Sequence, residues 1–304
     1  MKDKKIYIIG SGVIGKSLSV FLQQEGKDVI LIRGSVDNIP EIKTNVTIVD
    51  QNNLVHKQNI TTTAFSNLTA INGIVLIATK SFANKYLSEK LKQIKGNFSI
   101  VLLQNGLNVE KPFESFDKVY RCVLFSGGEV INNEKISFKM VASSPVGNIY
   151  GKNTGLEPII KQINTFYFGF REEQDIIKHI WNKVIINCAF NSICPLLEVD
   201  NGVFYRNHQA AGQAKIVIEE CVALSKKLNI ELNQNDIEEH LMLISKQSNG
   251  QLVSTYQDIQ NKRKTEIESL NLEIARLANE MGLPALVTNT RLLGELIQLK
   301  SNMK

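Results

Sequence analysis

Apolar residues follow two different rhythms along this chain. In the first half, short apolar runs recur between segments of helical spacing. Lys5–Ile9 (KIYII) reads as a strand, and Val13–Glu25 as a helix with Ile14, Leu18, Phe21 and Leu22 at its apolar positions. Gly26 stops that helix, and Asp28–Arg33 (DVILIR) is the next strand. Ile74–Ala78 (IVLIA) and Phe98–Leu103 (FSIVLL) are apolar almost without interruption, as strands buried on both faces of a parallel sheet must be. Phe82–Ile94, between them, has helical spacing. Strands alternating with helices predict a doubly wound α/β domain. From Arg121 to Tyr150 the pattern shifts to short strand-like pieces with turn signals (SGGE, INNEK, SSPVGN). After Phe170 the strand signal stops. Gln174–Cys194, Gln209–Leu228, Asn235–Ser245 and Lys264–Met281 read as helices, with a last one after Pro284. The expected division is an α/β domain over residues 1–172 and an all-helical domain over 173–304.

Composition narrows the function classes. With 304 residues, 43% hydrophobic and 21% charged, the chain has the make-up of a globular protein. The net charge of +5 is scattered along the chain, and Lys2, Lys4 and Lys5 are too few for a nucleic-acid arm. No basic stripe or reading-helix module supports DNA binding. No apolar stretch approaches the length of a membrane-spanning helix. The lysines ahead of Ile6–Ile9 resemble the start of a signal peptide, but the apolar part ends at Gly10 and no small-residue cleavage site follows. The expectation is a cytoplasmic protein without a membrane partner. Cys122, Cys188, Cys194 and Cys221 lack metal-ligand spacing and read as buried thiols in a reducing compartment. His56, His179, His208 and His240 are far apart and read as structural or surface residues; no metal site is expected.

Gly10, Gly12 and Gly15 form G-S-G-V-I-G, with Val13 and Ile14, between an expected strand and an expected helix. In that context the first glycine permits a tight turn. The second lets a pyrophosphate approach the backbone, and the third allows close helix–strand packing. The orphan amides of the helix then face the phosphates. A glycine turn that serves packing alone is the alternative. At the end of the second strand, where an NAD site usually places a carboxylate, stands Arg33 in Arg33-Gly34-Ser35. Its planar fork suits a 2′-phosphate, so NADPH is the expected cofactor; a surface arginine is the other reading. Lys80 follows IVLIAT at the ligand-binding edge of such sheets and is either a second cation for that phosphate or a solvated lysine. Gln104-Asn105-Gly106 follows FSIVLL equivalently. It offers an amide for a ribose or nicotinamide, or a plain turn.

In the helical half, WNKVIINCAFN puts Lys183, Asn187 and Asn191 four residues apart, hence on one helix face. One ammonium and two amides suit a small polyoxygenated anion; a satisfied core network is the alternative. Further on, STYQDIQNKRKTEIESLN carries Ser254, Asp258 and Glu266. Spacing alone leaves Glu266 open as an exposed helix carboxylate.

Four sparse motifs then occur in order: GSGVIG, QNG after a later strand, W-x-K-x-x-x-N-C-x-x-N, and S-x-x-x-D followed by T-E-I. Together they resemble the ketopantoate reductase (2-dehydropantoate 2-reductase) family over essentially the whole chain. The resemblance implies a Rossmann-type NADP-binding domain followed by a helical substrate domain, with the active site in the cleft between them. It implies NADPH delivering a hydride to the C2 ketone of ketopantoate, giving pantoate for pantothenate and coenzyme A synthesis. It makes Lys183 the general acid, assisted by Glu266, which also contacts cofactor. It gives Asn187, Asn191 and Ser254 to the substrate and Asn105 to the nicotinamide end and substrate. Gly10, Gly12, Val13, Ile14, Gly15, Arg33 and Lys80 are left to the cofactor. Two features depart from the family: Ser81-Phe82-Ala83 stands where a polar residue, commonly Gln, often follows the lysine, and the segment 45–63 has no clear counterpart.

Two further readings remain. A family relative would reduce another branched 2-oxo acid with the same lysine, and a non-catalytic dinucleotide sensor would use its helical half to dimerise. A homodimer is compatible with each.

Overall fold

The computed structural model describes residues 4–34, 37–132, 135–150 and 155–303. Lys2, Ser35 and the Asn133-Glu134 step of the INNEK turn lie outside them. The chain divides into two compact units. One is Met1–Gln104 with Glu110–Ile176, and the other is Asn105–Val109 with Ile177–Lys304.

The first unit runs β1 (Lys5–Ile9), α1 (Val13–Gln24), β2 (Val29–Arg33), β3 (Ile42–Val49), β4 (Val55–Ala64), β5 (Gly73–Ile77), α2 (Asn84–Gln93) and β6 (Phe98–Leu102). It continues through β7 (Val119–Cys122), β8 (Ser126–Asn132), β9 (Lys135–Met140), β10 (Ser144–Asn148), α3 (Leu156–Ile163) and β11 (Phe170–Glu172). Among the described residues these strands form one mixed sheet, ordered β11-β10-β7-β6-β5-β1-β2-β4-β3-β9-β8. Its centre, β4-β2-β1-β5-β6-β7, is all parallel. Setting the inserted β3 aside, that is the doubly wound 3-2-1-4-5-6 order, which reverses between the first strand and the fourth. Here the reversal falls between β1 and β5, and ligands of such sheets sit off the carboxyl ends of the strands at that point.

Two cores explain the uninterrupted apolar strands. Ile8, Leu31, Leu76 and Val101 pack with Leu18 and Leu22 of α1 and Leu156 and Ile159 of α3. Their strand neighbours Ile9, Ile32, Ile77 and Leu102 face the other way, onto Leu87 and Leu91 of α2. Residues 45–63 fall in the β3–β4 hairpin, whose register runs from Ile42↔Thr62 to Val49↔Val55. Val46, Ile48 and Ile60 turn inward to the α1-side core. His56 in this hairpin is buried, its ring nitrogens against Gln24 (3.0 Å) and Asp50 (3.4 Å).

The second unit is helical among the described residues: α4 (Ile176–Leu197), α5 (Val203–Arg206), α6 (His208–Lys227), α7 (Gln234–Gln247), α8 (Ser254–Gln260), α9 (Asn271–Glu280) and α10 (Thr288–Asn302). By length and composition α4 could cross a membrane, against the expectation that no stretch reaches that length. However, 72% of its apolar window is buried, as befits a core helix.

Lys264–Met281 is not one helix. A left-handed Lys262 (φ 51°) follows α8, and Arg263 turns back to bond Asp258 (Nε to Oδ1, 3.0 Å). Thr265, Glu266 and Ile267 are then buried in succession, ahead of a short turn at Ile267–Ser269. The chain is non-helical from Arg263 to Glu266, and α9 begins only at Asn271.

Candidate active site

The glycine turn separates packing from access. Gly10 has φ 120°, and its N–H bonds the Ile32 carbonyl at 3.0 Å. A Cβ at Gly10 would lie 2.8 Å from the Ala78 backbone, and one at Gly15 would lie 1.8 Å from the Gly10 carbonyl oxygen. Both glycines are therefore required for β1, α1 and β5 to approach one another. A Cβ at Gly12 would meet nothing within 4 Å. Gly12 is the N-cap of α1, with no side-chain capping bond and no acidic residue in the first turn. The amides of Val13, Ile14 and Gly15 thus open a positive helix end where the backbone alone leaves room. This cradle fits a dinucleotide pyrophosphate.

Arg33 is exposed at the end of β2. Gly34 follows it, and a Cβ there would stand 3.2 Å from Ile9 and 3.7 Å from Thr79. The carboxyl ends of β1, β2 and β5 therefore converge. Lys80 is half-buried immediately after Thr79, at the start of the turn Ser81–Ala83 that leads into α2. Gln104 and Asn84 exchange two amide hydrogen bonds (2.7 and 2.6 Å), and Gln104 also donates to the Thr79 carbonyl at 3.0 Å. These bonds lock the ends of β5 and β6 to the start of α2.

Asn105 opens the pentapeptide that belongs to the second unit. Gly106 has φ 104°, and a Cβ there would sit 2.5 Å from Ser269, so only glycine fits. The Leu107 N–H bonds the Ser269 carbonyl at 2.9 Å, and the Asn108 amide donates to Glu273, itself held by Arg276.

On α4, Lys183 and Asn187 are half-buried, and Asn191, one further turn along the same face, is 2% exposed. The Asn191 Oδ1 accepts from the Ser254 hydroxyl and the Thr255 N–H, each at 3.3 Å, tying α8 to α4. Its amide nitrogen is the donor it can offer a ligand. Glu266 is 9% exposed on the non-helical stretch before the Ile267–Ser269 turn, which removes the reading of an exposed helix carboxylate. Asn271, wholly buried, donates to the carbonyls of Cys188 (3.2 Å) and Thr290 (3.3 Å), fixing α9 against α4. All four cysteines are buried. Burial, with Cys221 adding, pushes the Cys188 thiol well above its ordinary range, so it supplies no nucleophile.

The expected site residues thus stand in two groups. Gly10, Gly12, Val13, Ile14, Gly15, Arg33 and Lys80 are in the first unit; Asn105, Lys183, Asn187, Asn191, Ser254 and Glu266 are in the second. Asn191 and Ser254 are in direct contact. Sequence reasoning overlooked Arg121 and Glu110, whose side chains pair in the interior of the first unit. The signal was a lone arginine in the otherwise apolar strand V-Y-R-C.

The model of "Ketopantoate reductase PanE/ApbA" matches residues 6–149, and that of "Ketopantoate reductase PanE/ApbA C terminal" matches residues 175–300. A 2-dehydropantoate 2-reductase of Pyrococcus abyssi is 27% identical over 285 residues, covering 92% of this chain and 93% of its own. Among solved structures, a D-mandelate dehydrogenase with NADH and anilino(oxo)acetate superposes with a TM-score of 0.85 at 20% identity, over 98% of both chains. A dimeric ketopantoate reductase from Staphylococcus aureus superposes with a TM-score of 0.81 at 17% identity, over 98% of this chain and 99% of its own.

Proposed function

The chain belongs to the ketopantoate reductase family, and from that premise we propose that it reduces the C2 ketone of ketopantoate to pantoate with NADPH. The observation that carries this reading is the polar face of α4, where Asn191 is already bonded to Ser254 one turn beyond Asn187 and two beyond Lys183.

A reduced nicotinamide, when bound, would supply the hydride for the substrate C2. As that carbon gains the hydride, the carbonyl electron pair moves onto oxygen. The Lys183 ammonium stabilises the developing charge and gives its proton to that oxygen, leaving a neutral amine that water reprotonates. Asn187 and the amide nitrogen of Asn191 donate to substrate oxygens, and the Ser254 hydroxyl turns from Asn191, whose amide oxygen keeps the Thr255 N–H, to donate to the carboxylate. Glu266 holds the lysine and substrate in register; its burial strengthens any charged contact it makes. Gly12 and the first turn of α1 would hold the pyrophosphate of the dinucleotide, and Arg33 and Lys80 would hold its 2′-phosphate. Arg33 in place of a carboxylate at the end of β2 supports NADPH over NADH.

A second reading is reduction of a different 2-oxo acid. It is favoured by the likeness to the D-mandelate dehydrogenase, whose structure holds NADH and anilino(oxo)acetate. The same lysine serves both substrates. We extend the proposal to a homodimer, as the S. aureus neighbour is described.

The test is loss of the NADPH absorbance on adding ketopantoate, with a panel of 2-oxo acids and NADH alongside. The highest kcat/KM with ketopantoate and NADPH is expected. A higher value with another acid selects the second reading, and dinucleotide binding without oxidation by any acid selects a sensor.

A further inference from the structure

Arg121 is 1% exposed on β7, among the largest fully buried side chains of the described residues. A guanidinium stays charged at any pH a protein survives, so its burial demands paired and hydrogen-bonded partners. Two of its partners are informative. One arm of the fork donates to the Glu110 carboxylate, and the other donates to the Gln104 carbonyl at 3.3 Å. Gln104 is the last residue of the first unit before the chain departs, and Glu110 is the first on its return. One planar side chain therefore grips both ends of the Asn105–Val109 excursion.

The excursion has its own anchors in the second unit, at the Leu107 N–H and the Asn108 amide. Asn105 lies between the two sets of restraints. It is one peptide bond from the gripped carbonyl and two residues from the Leu107 anchor.

We propose that Arg121 is a positioning residue that sets the placement of Asn105 by clamping Gln104 and Glu110. This rests on the reading above, in which Asn105 stands at the nicotinamide end. The fork geometry is essential: a lysine retains the charge but has a single donor point and cannot span both acceptors in plane. Stabilisation of β7 alone would need neither partner to lie at a chain departure.

The test compares Arg121→Lys with the full-length wild type, in both the native and the Asn105→Ala backgrounds. Amide hydrogen exchange needs no substrate, so it stands independently of the proposed activity. Exchange at 105–109 is expected to accelerate about tenfold or more, with β6 unchanged. The kcat for ketopantoate is expected to fall between about 10- and 100-fold, with a smaller change in KM. In the Asn105→Ala background the same substitution should alter kcat by less than about twofold. Unchanged exchange at 105–109 overturns the proposal. So does an equal loss of kcat in both backgrounds. Loss of protection spread evenly over β6 and β7 overturns it too, because Arg121 is then a general stabiliser. Glu110→Gln, which keeps the shape but weakens one arm of the clamp, is expected to reproduce the local exchange increase. A wild type that reduces no 2-oxo acid refutes the proposed function and leaves the exchange result to decide the clamp.

Discussion

Gly12 and Gly15 lie three residues apart in one turn, yet alanine at each should fail for a different reason. At Gly15 the new methyl would lie 1.8 Å from the Gly10 carbonyl oxygen, with the Ile8 side chain 3.4 Å away. Contacts under 3.0 Å are essentially unknown, so β1 and α1 must separate by more than about 1 Å in a close-packed interior. Overpacking of this kind costs about 3 kcal/mol, and the helix propensity gained by replacing glycine returns only about 1 kcal/mol. A net loss of about 2 kcal/mol lowers the melting temperature of a unit this size by about 4–8 °C. At Gly12 the methyl meets no protein atom within 4 Å, and φ −78° with ψ −171° suits any residue. Alanine is a poorer N-cap than glycine by about 1 kcal/mol at most, so the melting temperature should fall by no more than about 4 °C. The methyl would instead occupy the space through which a pyrophosphate reaches the helix amides. Affinity for the dinucleotide should drop at least about tenfold, or about 1.4 kcal/mol. Thermal melts without cofactor, paired with titration calorimetry against NADPH, read the two effects separately. Gly12→Ala binding as tightly as wild type would refute the cradle, and equal melting temperatures for the two variants would refute the packing argument.

Other expectations concern chemistry and charge. Lys183→Ala should lower kcat by roughly 10²–10⁴-fold with cofactor affinity retained; an intact steady-state rate removes Lys183 as the acid. Arg33→Asp should shift the NADPH/NADH ratio of kcat/KM towards NADH, and an unaltered ratio contradicts the phosphate role. Ser254→Ala should raise KM for the 2-oxo acid, since a carboxylate contact is lost; an unchanged KM contradicts the assignment. Burial pushes the Tyr150 phenol up to about 12, with Glu110 and Glu114 adding and Arg121 opposing. An unfolded phenol ionises near about 10, so between about pH 10 and 12 only the unfolded chain sheds this proton. The stability this group contributes is complete below about pH 10 and is lost as pH rises towards 12. Tyr150→Phe should flatten that alkaline decline in urea melts, and identical slopes would contradict it.

Much of the architecture was legible because its physics is local. A run such as IVLIA, short and closely bounded, suits a strand buried on both faces, and G-S-G-V-I-G between strand and helix carries its own turn geometry. The stripe Lys183, Asn187, Asn191 follows from helical periodicity alone. The β3–β4 hairpin was harder, because its inward positions Val46, Ile48 and Ile60 are separated by polar residues that carry no motif.

What composition and periodicity determined, then, were the alternating α/β half, the helical half, the glycine turn and the polar stripe of Lys183, Asn187 and Asn191. Tertiary packing decided the rest. It broke the expected helix at Thr265–Ile267 and buried Glu266, joined Asn191 to Ser254 across 63 residues, and tied Gln104 and Glu110, the residues flanking Asn105–Val109, to Arg121. Each of these depends on a partner distant in the chain, and a one-dimensional pattern encodes only the faces of its own element.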